Sequence, residues 1–272
     1  MNPSDMGRNQ AARVVLSHDG SFAGFLCAVA EAINASRSAS TALSIRGPVP
    51  CTELFDDTIA VPADEGRAMR LWERLSRKCG EDAMRICFDA FCSDFGMKED
   101  AIARALVRMS REGRQALEDL ADPDISLVEK AALRARAQAH LITGLLRFSE
   151  LRDGSWFAPI EPDCDILRLI GDHFAARYAD MSFAIHDRKR GIALLYRPGS
   201  PWKIVSGFSI ETDTVSPADN DDLPFSDRET AIRSGWIAYF DAIAINQRKN
   251  PRLQVGHMPR KYWRFLPEMK LQ

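Results

Sequence analysis

From Asp64 onwards the chain repeats one pattern. Apolar residues return every three or four positions over Asp64–Cys79, then over Glu81–Cys92, then over Lys98–Gly113. That period matches the turn of an α-helix and not the two-residue alternation of a strand. Each segment therefore presents one apolar side, and three such sides are most stably buried against one another. Trp72, Leu75, Phe88, Phe91, Ile102, Leu106 and Met109 fall on these sides and are expected in a core rather than against a cofactor. Pro123 breaks the run, and Asp124 is placed to cap the next helix. That helix is expected from Ser126 to about Ser149, with Leu127, Leu133, Leu141, Leu145 and many alanines.

Strand signals flank this helical block. Arg13–Leu16 is valine-rich and short, and His18-Asp19-Gly20-Ser21 forms a turn before a helix expected from Phe22 to Asn34. Ser21 or Asp19 can cap that helix. A strand, a turn and a helix N-terminus also suit a phosphate, so a plain cap and a ligand contact both stay open. Ala35–Pro50, rich in Ser, Ala and Pro, reads as a loop, and Thr58–Val61 as a second strand. Beyond the long helix, Ser155–Ile160 reads as a strand that leaves through Glu161-Pro162-Asp163. A helix follows from Asp163 or Asp165 through Tyr178, with His173 near its end. Met181–His186 and Ile192–Tyr196 read as antiparallel strands joined by Asp187–Gly191, and Trp202–Ser206 as a further strand. Glu211–Glu229, with Pro217 and Pro224, reads as a flexible acidic loop before a last helix through Trp236 and Ile245.

The expected fold class is therefore α+β, mainly helical with a small antiparallel sheet and helices packed on one face. The expected organisation is a flexible start over 1–12, a mainly helical part over 13–125, and an α+β part over 126–272. The last part holds the antiparallel meander and a basic C-terminal tail, and one continuous domain is equally compatible with the pattern.

The formal net charge of −2 means that any polyanion must be met by local clusters. No apolar run approaches the roughly 20 residues that cross a bilayer, and Met1–Gln10 is polar. A cytoplasmic protein without a membrane partner is expected. The six cysteines, Cys27, Cys51, Cys79, Cys87, Cys92 and Cys164, show neither CxxC nor cluster spacing, and are expected to pack as reduced thiols.

Functional chemistry concentrates between Gln138 and Gly191, which hold three of the five histidines together with paired acids and arginines. Arg136, His140, Gly144 and Arg147 follow steps of four, four and three, which would place them on one stripe of the long helix. Two arginines, a histidine and a glycine gap can line an anion site. The same stripe can equally be a solvated face whose arginines pair with nearby acids. Arg188, Lys189 and Arg190 form a cationic hairpin tip, suited to phosphate or simply to water. Metal ligands of the right type are present in His140, His173, His186, Asp163 and Asp187, yet no HExxH, HxH or repeated HD pattern occurs, and adjacent strand residues such as His186 and Asp187 face opposite ways. No metal site and no cofactor are assigned. His140, Asp163 and His186 are the candidate catalytic groups, with Glu161 and Asp163 available as an acid/base pair that a helix cap explains as well. In the tail, Arg248, Lys249, Arg252, Arg260, Lys261, Arg264 and Lys270 stand against Glu268 alone, interleaved with Tyr262, Trp263 and Phe265. Charge for phosphate and flat rings for bases is the chemistry of nucleic-acid contact. Trp263 is expected to dock the tail on the core.

These blocks resemble a known family. Asp19-Gly20-Ser21-Phe22 with Gly24-Phe25-Leu26 resembles its DGSFxGFL opening. His140, Arg147-Phe148, Glu150-Leu151, Ile160-Glu161-Pro162-Asp163 and His173-Phe174 resemble its middle, and His186-Asp187 with Lys189-Arg190-Gly191 its HDxKRG block. Arg248–Gln254 and Met258–Trp263 resemble its RKNPRLQ and MPxxYW ending. The family is uncharacterised, and its members are described as DNA-metabolism or DNA-repair proteins. They are typically encoded beside a radical-SAM protein of DNA repair or modification, and related domains are fused behind uracil-DNA-glycosylase-like domains. The resemblance implies a DNA-repair context and supplies no reaction. The chain departs from the pattern at Cys164, where histidine or another polar residue is frequent, which counts against a metal or proton relay there.

Three functions are compatible with this reading. The leading one is a nucleic-acid-binding accessory to a radical-SAM partner, using Arg136, Gly144, Arg147, Arg188, Lys189, Arg190, Arg248, Lys249, Arg252, Arg260, Lys261 and Trp263, with DNA as ligand. The second is a nucleic-acid-processing enzyme, hydrolase or nuclease-like, with a His/Asp/Arg pocket. The third is a protein-binding subunit without DNA contact. The chain lacks cluster cysteines, so it is not itself the radical-SAM enzyme, and it lacks recognisable glycosylase motifs.

Overall fold

The computed structural model describes residues 14–35, 43–47, 57–210, 223–245 and 250–269. The expectations for 1–12, for most of the acidic loop after Glu211, and for Cys51, Arg248, Lys249 and Lys270 lie outside the described residues. The chain is α+β and mainly helical, and it forms two compact units, Met1–Ala135 and Arg136–Gln272.

In the first unit a central strand β1 (Val14–Ser17) pairs in parallel with β2 (Leu43–Arg46) on one side and β3 (Asp57–Ala60) on the other. Strand β2 lies in the stretch expected to be loop. Its edge is held by Asp100, whose buried carboxylate accepts from the Ile45 N–H at 2.7 Å and from the Ser44 hydroxyl at 2.8 Å. Helix α1 (Phe22–Ala35) follows the Asp19-Gly20-Ser21 turn. Ser21 Oγ accepts from the Gly24 N–H at 2.9 Å, and Asp19 Oδ1 accepts from the Ser21 N–H at 2.9 Å. A Cβ on Gly24 would stand 2.2 Å from Asp19 Oδ1, so glycine is what lets the two caps interlock. The polar groups of this turn are used locally, which favours the cap.

Helices α2 (Glu65–Cys79), α3 (Glu81–Phe91) and α4 (Lys98–Glu112) are those the periodicity called for. Asp64 caps α2 by accepting from the Arg67 N–H at 2.8 Å. Their apolar sides meet α1 and the start of α5 (Pro123–Leu145) in one core, where Phe25, Leu75, Met84, Ile102, Leu106 and Met109 are fully buried. Each such side chain contributes about 1.5–3 kcal/mol by leaving water. Cys27, Cys79, Cys87 and Cys92 are free thiols packed in this unit, and burial pushes the Cys87 thiol up to about 12. The cap of α5 is Asp122 and not Asp124. Its Oδ1 accepts from the N–H groups of Asp124 at 2.8 Å and Ile125 at 3.2 Å, while Pro123 occupies the first turn, where a missing N–H is harmless.

The second unit is built on a five-stranded sheet in the order β4 (Ser149–Glu150), β5 (Trp156–Ile160), β6 (Phe183–Asp187), β7 (Ile192–Tyr196), β8 (Lys203–Ser206). Strands β6, β7 and β8 form the expected antiparallel meander. The sheet is nevertheless mixed, because β5 runs parallel to β6 with Ala158 opposite Ile185. A parallel neighbour requires a crossover, and helix α6 (Leu167–Arg177) supplies it. Leu167, Ile170, Gly171 and Phe174 form its buried side. Helices α7 (Asp227–Ile243) and α8 (Pro251–His257) and short 3₁₀ segments at Arg260–Phe265 and Pro267–Met269 complete the unit. Among the described residues, no helix is long and apolar enough to cross a membrane.

Candidate functional site

Helix α5 stops at Leu145, short of the expected Ser149. Ser149 is drawn instead into β4, opposite Phe157. Arg136, His140 and Gly144 remain on one exposed face of α5, at helical spacing. Arg147 leaves that stripe. Its Nη1 turns back to donate to the carbonyl oxygens of Gly144 at 3.1 Å and Leu146 at 3.3 Å, which the helix end leaves without internal partners. Its Nη2 donates to Glu268 Oε1 at 3.0 Å, and the other oxygen of this buried carboxylate accepts from Trp236 Nε1 at 3.1 Å. Arg147 is thus an arginine paired with a nearby acid, the structural one of its two readings.

The end of α5 and the outer side of α6 border a cleft of about 810 Å³. His140, Thr143 and Gly144 come from α5, and His173 and Arg177 from α6, where a spacing of four puts them on one side. Phe148, Trp156, Phe174, Tyr178 and Met181 supply aromatic and apolar wall, and Arg147 also borders the space. Among the described residues, no carboxylate lines it. His140, His173 and Arg177 are exposed, whereas Phe148, Trp156, Tyr178 and Met181 are half-buried. The Arg177 guanidinium lies 5.7 Å from the centre of the Tyr178 ring, and no acid pairs with it among the described residues. Such a lining can hold an anion at its mouth and a flat or apolar body against its wall.

Asp163 and His186 are not among the residues that line this cleft, so it does not bring the three catalytic candidates together. Asp163 pairs with the Lys261 ammonium and accepts from Gln138 Nε2 at 3.2 Å. The hydrogen bond from Lys261, reinforced by that from Gln138, holds its carboxyl below the ordinary aspartate range. Gln138 is buried and acts in three directions. Its Oε1 accepts from the Cys164 N–H at 2.6 Å, and its Nε2 also reaches the Tyr262 hydroxyl at 3.2 Å. It ties α5 to the turn before α6 and to the C-terminal 3₁₀ segment.

The hairpin tip is less cationic than its composition. Asp187 is fully buried and accepts from the N–H groups of Lys189 at 3.0 Å and Arg190 at 3.2 Å, and from Arg190 Nη1 at 2.7 Å. The same guanidinium donates to the carbonyls of Pro162 at 3.2 Å and Asp163. Arg190 therefore clamps the hairpin onto the chain entering α6. Burial raises the Asp187 carboxyl against the opposing pull of Arg190. Gly191, at φ +64°, closes the turn in a conformation that favours glycine. Arg188 lies 3.9 Å from Glu161, and Lys189 is exposed. His186 faces the rings of Phe157 and Phe208, and desolvation, with Arg188 nearby, lowers its pKa.

The tail docks, but chiefly through Tyr262, Phe265 and Leu266, which are buried, rather than through half-buried Trp263. Trp263 Nε1 donates to the Met258 carbonyl at 2.8 Å, and Arg260 stacks on its ring at 5.7 Å. Lys261 is paired with Asp163 and Arg264 with Glu161. Arg252 is exposed on α8. Among the described residues, no group of three His, Cys, Asp or Glu side chains could hold a metal ion.

Arg177 and Gln138 were not singled out in the sequence. Arg177 could have been found from its spacing of four to His173 on a helix whose other side is apolar. Gln138 carries no sequence signal, because an isolated glutamine on a helix is ordinary.

Fold and site together define an α+β protein whose second unit carries a cleft lined by basic side chains and aromatic walls. The chain belongs to a domain family of unknown function, DUF4130, whose model matches residues 97–268. No curated protein and no solved structure shows a significant match.

Proposed function

We propose that the protein binds nucleic acid and serves in DNA repair or DNA metabolism as an accessory to a radical-SAM partner. The observation that carries the first half is the cleft. His140, His173 and Arg177 supply its basic groups beside the internally paired Arg147, and Trp156 and Tyr178 present rings next to them. Phosphate attraction combined with base stacking is how sequence-tolerant binders hold a strand. Lys189 and Arg252, both exposed, extend basic character beyond the cleft, whereas Arg147, Arg190, Lys261 and Arg264 are committed to internal partners. The partner half rests on the family resemblance and is supported by α7. There Ile232, Trp236, Tyr239 and Ile243 recur along one side and remain 51, 41, 56 and 54% exposed. An apolar stripe left in water on a helix is a surface for another protein.

The test is fluorescence anisotropy with labelled single-stranded and duplex DNA over a salt series, alone and with the partner. Binding that weakens with salt is expected. Its absence in every combination removes the proposal. Copurification of the partner with and without nuclease then separates a protein contact from a shared DNA tether.

A further inference from the structure

Resting on the nucleic-acid reading, we propose that the cleft takes a single unpaired nucleotide unit. Its phosphate lies at the His140, His173 and Arg177 mouth, and its ring against Trp156 and Tyr178. The division of the lining by exposure points to such an amphipathic ligand. The groups able to hold a phosphate are exposed, and the rings and Met181 lie half-buried behind them. The volume of about 810 Å³ falls within the range of about 300–1,000 Å³ seen for single-ligand pockets. A base stacked and paired in a duplex cannot enter such a space unless it leaves the stack. Among the described residues no carboxylate lines the cleft, and the one paired with Arg147, that of Glu268, is buried behind it.

Gly144 sharpens the proposal. It lies on the cleft face of α5, outside the positive-φ glycines, and a Cβ there would meet no heavy atom within 4 Å. A larger side chain is therefore tolerated by the fold and projects from the cleft wall. Glutamine also favours a helix over glycine, so Gly144→Gln is expected to fold at least as well as the parent.

The ligand chemistry has two sources, a free mononucleotide and a nucleotide within a strand, and the experiment separates them. The whole chain is titrated by calorimetry with thymidine monophosphate, thymidine, inorganic phosphate, a short oligothymidylate and a paired duplex of the same length. The same titrations are made with Gly144→Gln and with His173→Ala/Arg177→Ala, after thermal melting confirms that both are folded. The expected result is that the mononucleotide binds more tightly than thymidine or phosphate. The single strand competes with it, the duplex binds roughly tenfold more weakly, and both variants lose roughly tenfold or more in affinity. If the strand binds in a salt-sensitive way but neither variant alters it and no mononucleotide binds, the cleft proposal is overturned and the nucleic-acid reading stands. If the mononucleotide binds and both variants abolish it while no strand binds, the free nucleotide is the ligand and the nucleic-acid reading fails. If nothing binds, both fail.

Discussion

Replacing Gln138 by leucine removes a buried side chain that joins three segments of the second unit. The N–H of the fully buried Cys164 loses an acceptor at 2.6 Å. A buried donor deprived of its partner costs about 1–3 kcal/mol. The Tyr262 hydroxyl, on a residue only 2% exposed, loses a partner at 3.2 Å, worth about 0.5–1.5 kcal/mol. Asp163 keeps its pairing with Lys261 and is a third exposed, so its loss adds little. Burial of the leucine returns about 1 kcal/mol. The net expectation is a destabilisation of about 0.5–3.5 kcal/mol, centred near ~2 kcal/mol and confined to the second unit. A Trp72→Phe background leaves Trp156, Trp202, Trp236 and Trp263, all in the second unit, as the fluorescent reporters of urea unfolding. A loss below about 0.5 kcal/mol would refute the claim that Gln138 is a tie of this unit.

Two further perturbations test other parts of the account. A Cβ on Gly171 would stand 2.6 and 2.9 Å from the Trp202 ring and 3.0 Å from Leu194, so Gly171→Ala should destabilise by about 1–3 kcal/mol despite the better helix propensity of alanine. Trp202 emission should shift as its ring is displaced from the hydrogen bond that Nε1 makes to Asp172 at 2.6 Å, and an unaltered spectrum with unaltered stability would count against this packing. Burial lowers the pKa of His18, against the pull of Asp19 and with that of Lys98, while its Nδ1 accepts from the Gly20 N–H at 3.1 Å. Above an unfolded value near 6.5 both states are neutral, and below it the unfolded chain takes the proton first. Stability of the first unit should therefore be full above pH 6.5 and fall by at most about 1.4 kcal/mol per pH unit below it. His18→Asn, which keeps an acceptor but does not titrate, should flatten that part of the profile in denaturation curves at several pH values.

What was legible in the sequence follows the range of the forces involved. Helices α2, α3 and α4 could be read because their apolar period repeats over many turns, and the β6–β7–β8 meander because its hairpin is local. Strand β2 could not. Its Ser-rich stretch has weak strand character, and what holds it is Asp100, distant in the chain. The parallel pairing of β5 with β6 was hidden for a similar reason, since α6 was visible but not the side to which it returns the chain.

At the site, composition overstated charge. Arg147, Arg190, Lys261 and Arg264 read as available cations, and each is engaged by a carboxylate that is near in space, mostly far in sequence. His140 and Gly144 were found by helical spacing and do line the cleft. Arg177, opposite them, lies within reach of the same spacing argument through His173, but that it faces the α5 stripe follows only from the packing of α6.

The most direct test of the central claim is the salt dependence of single-strand binding in the parent and in Arg177→Ala. For a single strand, log K falls against log salt by about 0.7 for each phosphate neutralised. The account predicts salt-sensitive binding in the parent, with a slope shallower by about 0.7 and weaker affinity in the variant. An identical slope and affinity in the two proteins, or no salt-sensitive binding in either, would contradict it.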